Sequence, residues 1–414
     1  MKKLSEFLFE SVKPMAILEG GAAGHLAHVI DFGDFTAKNL KELVSDIFSG
    51  KIEDITEKID GLNLQATMNK QGEVVFIRNG GDINSEQGGM TITDMATKWA
   101  SKPSVADTYI SAGKIIRKVF NRIGADFFNP DANTRVVVNC ECVNAGQTNI
   151  IPYAMAKVSF HDIWTYKNMS GTWSVTDVSK KGLDVLEKAC EGLDNAKPTP
   201  KVIVELTSNS NDLIKKYHDM IDDLFEKDEN MSIDAWKRKK FLELLDGKWS
   251  WIKSQPNGVE VFYDRWFNKN KRVNLRELKK LYPENAAELD SIEKSSLYKD
   301  VIDDITEPLD TIFLKLGNDV IRLCGGLLNG AQNDNVVLKL QDDMRKVIKD
   351  VKSEGSSSAQ MKLVKQLKRL ERLGGDQSIN SVEGIVFKYK GRLMKLTGSF
   401  APLNQILGSI KFGR

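Results

Sequence analysis

The sequence predicts an α+β protein whose antiparallel sheets are interrupted by a large helical insertion. Residues 53–80 alternate at strand period around a tight turn. From about 209 to 373 the chain is charged and helix-like. Strand pattern then returns over 384–396.

The first 50 residues open with a short helix. A glycine-rich run, Glu19-Gly20-Gly21-Ala22-Ala23-Gly24-His25-Leu26-Ala27-His28, follows, and Leu40, Leu43, Val44 and Ile47 mark a second helix near 36–48. Leu62, Leu64 and Ala66 alternate, Asn69-Lys70-Gln71-Gly72 turns, and Val74-Val75-Phe76-Ile77 returns, giving a β-hairpin. Residues 91–123 read as one helix, 135–143 as a buried strand, 154–166 as another, 180–193 as helix and 200–206 as strand. The helical stretch ends at Gly374-Gly375-Asp376-Gln377. Strand 384–388, a turn at Lys390-Gly391 and strand 393–396 complete the pattern. The expected division is 1–50, a helical and glycine-rich segment packing on the core; 51–207, the first part of the core; 208–380, an α-helical insertion domain; and 381–414, the final strands and tail.

Composition excludes extremes. The chain is 41% hydrophobic and 28% charged with a net charge of +2, so a nucleic-acid site would have to be a local patch. The four cysteines, Cys140, Cys142, Cys190 and Cys324, form no CxxC pair, which fits reduced thiols in a cytoplasmic protein. No apolar run reaches membrane-spanning length, and no targeting segment is read at the start.

The most chemically suggestive string is Glu57-Lys58-Ile59-Asp60-Gly61. A lysine at a strand end beside an Asp-Gly turn can point into a cleft. Free lysine has a pKa of about 10.4. As a nucleophile it would have to lose its proton, which desolvation or neighbouring cations can favour. The plain alternative is a solvated surface lysine. Glu141, in Val137-Val138-Asn139-Cys140-Glu141, is a charge where a buried strand would not place one, unless the strand is an edge facing water. Glu383-Gly384-Ile385-Val386-Phe387 sets a carboxylate at the mouth of an apolar strand, where it can hold Mg²⁺ directly or through water.

In this order and strand context, these strings resemble the motifs of the covalent nucleotidyltransferase superfamily, the ATP-dependent RNA and DNA ligases and mRNA capping enzymes. They come closest to RNA ligases, including phage-type RNA-repair ligases. The resemblance covers residues 53–170 and 381–397 and implies a core of ATP-grasp-like antiparallel sheets. It makes Lys58 the nucleophile and Arg78, at the end of Phe76-Ile77-Arg78, a contact to the nucleotide or polynucleotide end. Glu57, Asp60, Gly61, Glu141 and Glu383 would line the nucleotide, with Glu141 and Glu383 as metal carboxylates. Val158-Ser159-Phe160-His161-Asp162-Ile163 resembles the strand that stacks a ring on the base, leaving Phe160 and His161 as alternatives. Lys395 matches one of two phosphate-binding lysines on the last strand. The second is missing, and Arg392 or Lys388 would have to replace it.

Weaker signals lie elsewhere. His25 and His28 could contact a phosphate or substrate end, or be two polar side chains at a helix start. Trp249 and Trp251, in Lys248-Trp249-Ser250-Trp251-Ile252-Lys253, could stack on bases or belong to the insertion's core. Only 19 residues follow Lys395, too few for a C-terminal OB fold, which points away from DNA ligases and capping enzymes. The expectation is therefore an ATP- and Mg²⁺-dependent RNA ligase, a cytoplasmic monomer without a membrane partner, joining 5′-phosphate and 3′-hydroxyl RNA ends through a lysyl-AMP. The alternatives are a DNA ligase, a capping-type guanylyltransferase, or a catalytically degenerate nucleic-acid-binding protein of ligase-like fold.

Overall fold

A computed structural model describes residues 26–78, 80–144, 150–151, 153, 155–199, 201–267, 274–295, 297–325, 327, 334–353 and 358–412. Its sheets are antiparallel apart from one parallel addition, and helices cover them, an α+β arrangement. The small sheet joins β1 (Thr56–Lys58) to strands from the far end of the chain. β1 lies beside β10 (Gly384–Tyr389), which pairs with β11 (Arg392–Thr397). The large sheet holds β2 (Leu62–Met68), β3 (Val74–Ile77), β4 (Thr134–Val143), β5 (Lys157–Met169) and β6 (Thr172–Ser179) in the order β3-β2-β4-β5-β6. β7 (Ala196–Pro198) adds parallel to β5.

Alternation assigns each large-sheet residue to a face. Leu64, Ala66, Phe76, Val138, Cys140 and Phe160 are buried against the helix Pro103–Ile123, which contributes Tyr109, Ile116, Val119 and Phe120. Burying one such side chain is worth about 1.5–3 kcal/mol. The polar residues between them, Asn63, Gln65, Thr67, Asn139 and Glu141, fall on the opposite face. The turn after β2 is fixed by Asn69, whose Oδ1 accepts from Gln71 N at 3.0 Å and Glu73 N at 2.9 Å.

The small sheet sorts its residues in the same way. Lys58 stands opposite Gly384, Val386 opposite Lys395 and Gly384 opposite Thr397. Opposed residues share a face, so Lys58, Lys395 and Thr397 project to one side. Ile385, Phe387, Met394 and Leu396 project to the other, into a core with Leu40, Leu43, Tyr217, Ile221, Leu309 and Leu316.

Several expectations are revised. The single helix over 91–123 is two, Ile92–Lys98 and Pro103–Ile123, because Pro103 opens the second and disfavours helix at Lys102. The strand over 200–206 shrinks to β8 (Ile203–Val204), paired with β9 (Cys324–Gly325). β6 was not anticipated; its mostly exposed, polar residues carry little strand signal. Residues 208–380 do not form one separate unit. Helices Ser210–Leu224 and Leu297–Arg322 share the core of the small sheet. Helices Asp334–Ser353 and Ser358–Arg372 pack on the last helix, Phe400–Phe412, in a cluster that includes Ile59 and Val143. Among the described residues, the stretch from Phe241 to Ile305 has a cluster of its own. Helix Ala37–Phe48 packs into the small-sheet core.

Candidate active site

Lys58 ends β1, and its ammonium pairs with the carboxylate of Glu383, the residue just before β10. The β1–β10 register brings the two together from opposite ends of the chain. Gly384 lets β10 close on β11 at this point, since a Cβ there would collide with the carbonyl oxygen of Leu396. Gly61 serves the next step of the chain: a Cβ would sit 2.8 Å from both Cys142 O and Glu141 Cγ, so only glycine lets the Lys58–Gly61 segment lie against β4 beside Glu141.

The electrostatics follow from this crowding. Burial pulls the Lys58 ammonium down, but the carboxylates of Glu383 and Glu141 outweigh it, and the lysine pKa stands above its ordinary value. That reverses the sequence-based expectation that its surroundings would favour the neutral amine, because the neighbours are carboxylates rather than cations. Burial holds Glu383 above the ordinary carboxylate range, with Lys58 opposing. Asp60 is raised to about 7, by burial first and then by the charge of Glu383. Its Oδ2 accepts from Ile150 N at 2.6 Å and Ile151 N at 2.8 Å, and its own N–H donates to Tyr153 Oη at 3.2 Å. Asp60 thus anchors Ile150, Ile151 and Tyr153 to the turn after Lys58.

On the large sheet, His161 Nε2 lies 3.7 Å from Glu141 Oε2, too far for a hydrogen bond. His161 Nδ1 is 2.7 Å from Thr199 Oγ1. The register shifts between Asn139 and Cys140, where His161 is the extra residue opposite them. Phe160 is fully buried in the core, its ring centroid 6.3 Å from that of Phe120, so His161 is the ring beside Glu141. Arg78 donates to the carbonyl oxygen of Asn63, the residue opposite Glu141, and lies over the Tyr109 ring at 5.7 Å.

Other sequence candidates separate. Lys395 shares the face of Lys58, and its N–H donates to Ala27 O at 3.0 Å. Arg392, three residues earlier, projects from the opposite face. Its guanidinium grips Asp34 through two 2.6 Å hydrogen bonds and covers Phe32 and Phe35, away from Lys395. Lys388 is on the Lys395 face and exposed. Glu57 is buried, one residue out of phase with Lys58, and so faces away from it. His28 bridges to Lys395 along β11, and burial together with the Lys395, Lys58 and Arg369 charges lowers its pKa to about 4. His25 lies outside the described residues. Trp249 is buried against Trp266, with ring centroids 5.2 Å apart, which removes its face from any base. Trp251 donates to Glu288 at 2.9 Å and packs edge-on to Phe262, within the same helical cluster.

Sequence reading missed Asn63, Tyr153 and Thr199. Asn63 had a signal, a polar residue between the alternating apolar ones of β2. Tyr153 and Thr199 sit in irregular segments, where no period marks them.

Among the described residues no cluster of three or more His, Cys, Asp or Glu side chains could hold a metal, and no helix is long and apolar enough to cross a membrane. No protein family, curated protein or solved structure matches this chain.

Proposed function

We propose that this protein is an ATP-dependent polynucleotide ligase, sealing RNA ends through a lysyl-AMP on Lys58. The observation that carries the reading is the Lys58–Glu383 pair, set beside Glu141 on the sheet face that also bears Lys395. A lysine held among carboxylates is poorly explained as a surface residue. It is well explained as a nucleophile whose proton has an acceptor in place.

In the first step Lys58 Nζ gives its proton to Glu383, whose carboxylate already accepts from it and is made more basic by burial. The freed lone pair attacks the α-phosphorus of ATP. A P–N bond forms, the α–β P–O bond breaks, and pyrophosphate leaves with the electron pair. Lys395 and Arg78 would hold the negative charge of the phosphates and the nucleic-acid end. His161 would stack on the base. The adenylyl group then passes to a 5′-phosphate, and a 3′-hydroxyl displaces AMP to close the strand. Mg²⁺ is commonly held by one or two carboxylates together with substrate phosphates, so Glu141 and Glu383 suit it without a larger cluster. When bound, it would supply charge neutralisation at the phosphoryl group.

The test is incubation with ATP or GTP labelled at the α-phosphate, then with RNA and DNA carrying 5′-phosphate ends. ATP-dependent joining of RNA supports the reading. A preference for GTP without joining would favour cap formation, and DNA joining alone a DNA ligase. Binding of nucleic acid with no reaction would leave a ligase-like binding module.

A further inference from the structure

A chain with a net charge of only +2 must gather cations locally to hold a polyanion. Two basic runs are spent on the protein's own carboxylates. On the helix Ile233–Lys248, Arg238 pairs with Glu260, Lys239 with Glu226 at 2.6 Å and Lys240 with Glu243 at 2.9 Å. On Ser358–Arg372, Lys365, Arg369 and Arg372 pair with Asp303, Asp310 and Glu307 of the helix Leu297–Arg322.

The helix Pro103–Ile123 is different. Its Ile115, Ile116, Val119 and Phe120 are buried under the large sheet, while Lys114, Arg117, Lys118, Asn121 and Arg122 are exposed. Among the described residues the side chains of Lys114, Arg117 and Lys118 make no ion pair or hydrogen bond. Arg122 donates to the carbonyl oxygens of Ala189 at 2.8 Å and Glu191 at 2.9 Å, which holds it in place without a carboxylate partner. With Asp107 as its one acid, this helix carries a net charge of +3, more than the whole chain. Attraction to the helix C-terminus accounts for Arg122 alone, because Lys114 and Arg117 lie more than a turn from that end.

Spacing and neighbours narrow the partner. Lys114, Lys118 and Arg122 recur every four residues, about 6 Å apart along the axis, with Arg117 beside them. The stripe is about 12 Å long, and one nucleic-acid strand with a charge every ~3.4 Å would set about four phosphates against it. A lipid surface would call for apolar side chains among the cations, but the apolar residues of this stretch all face the sheet. Asn121 adds a neutral amide that can donate to a phosphate or sugar oxygen.

We propose that the outer face of the helix Pro103–Ile123 is a docking surface for the phosphate backbone of a polynucleotide, binding without regard to base sequence. It lies on the side of the large sheet away from Glu141, so it is separate from the candidate active site. Tyr109 of the same helix sits under the Arg78 guanidinium at 5.7 Å, which starts the helix beside the residue given to the strand end. That link, and the choice of RNA as the polynucleotide, rest on the ligase reading; the charge of the face does not.

Fluorescence anisotropy of the full chain with a labelled single-stranded RNA tests it. The RNA has hydroxyl ends and no nucleotide is added, so no joining takes place. The wild type should bind, with affinity falling as salt rises. Arg117→Gln/Lys118→Gln removes two backbone contacts and should flatten the slope of log affinity against log salt by about 1.4, about 25-fold weaker binding at 0.1 M salt when referred to 1 M. Lys38→Gln/Lys215→Gln makes the same charge change at exposed positions elsewhere and should bind as the wild type does. Thermal unfolding checks that each variant is folded, and phosphatidylserine vesicles replace the RNA in a second arm. The proposal is overturned if the wild type binds no RNA, if the Arg117/Lys118 variant matches it, or if the Lys38/Lys215 variant weakens binding as much. It is also overturned if the Arg117/Lys118 changes release the protein from vesicles and not from RNA. An absence of covalent labelling at Lys58 would sink the ligase reading and leave this binding in place.

Discussion

Replacing Lys58 with methionine keeps the bulk of the side chain and removes its charge. Glu383 then loses its ammonium partner while Glu141 and Asp60 remain nearby. The side chains of Lys58 and Glu383 are 22% and 13% exposed. Leaving one member of a buried pair uncompensated costs about 3–5 kcal/mol, and this residual exposure puts the expectation at about 3 kcal/mol. The cost should depend on pH. Without Lys58, the Glu383 carboxyl is pushed further above its unfolded-state value, so the folded protein binds its proton more tightly than the unfolded chain does. Stability is then retained below the unfolded pKa and lost as pH rises through the folded one. Urea unfolding at pH 5 and pH 8 reads this directly. Lys58→Met should be close to wild type at pH 5 and about 3 kcal/mol less stable at pH 8. A loss below about 1 kcal/mol at both pH values would refute the buried ion pair.

Three further outcomes follow from the site. Asp60→Asn should flatten the pH dependence of stability. The wild-type carboxyl is raised from 3.8 to about 7, so its burial favours the folded state at low pH and the advantage disappears as pH climbs through neutrality, a ceiling of about 4 kcal/mol. Chemical denaturation of both proteins between pH 4 and 8 measures it, and parallel curves would contradict the assignment. Gly61→Ala forces a methyl onto Cys142 O and Glu141 Cγ, which should cost about 1–3 kcal/mol in unfolding experiments and displace the Lys58 segment, seen as lost nucleotide labelling. Arg392→Ala removes a surface pair with Asp34, so it should leave labelling by ATP unchanged and shift stability by about 1 kcal/mol or less.

The local chemistry of this site was more legible than its assembly. The β2–β3 hairpin follows from alternation and an Asn-Gly-containing turn, both local signals. The partner of β1 is not local: no pattern around Lys58 states that it pairs with Gly384, and only the buried face of Ile385, Phe387, Met394 and Leu396 fixes that register. Arg392 shows the same limit. Basic character alone made it a candidate, whereas strand period already set it three positions, and therefore one face, away from Lys395. The helical stretch misled for a different reason. Its charged exteriors read as one solvated domain, but the apolar stripes of Ser210–Leu224 and Leu297–Arg322 are spent on the small sheet, and a stripe does not declare its partner. The raised pKa of Lys58 was also out of reach, because it comes from Glu141 and Glu383, distant in the chain.

The central claim is that Lys58 becomes covalently nucleotidylated. Peptide mass spectrometry after incubation with ATP and Mg²⁺ tests it most directly. An AMP adduct on the peptide bearing Lys58, absent from Lys58→Ala, is the predicted result. An unmodified Lys58 in the folded wild-type protein, or an adduct that persists in Lys58→Ala, would contradict it.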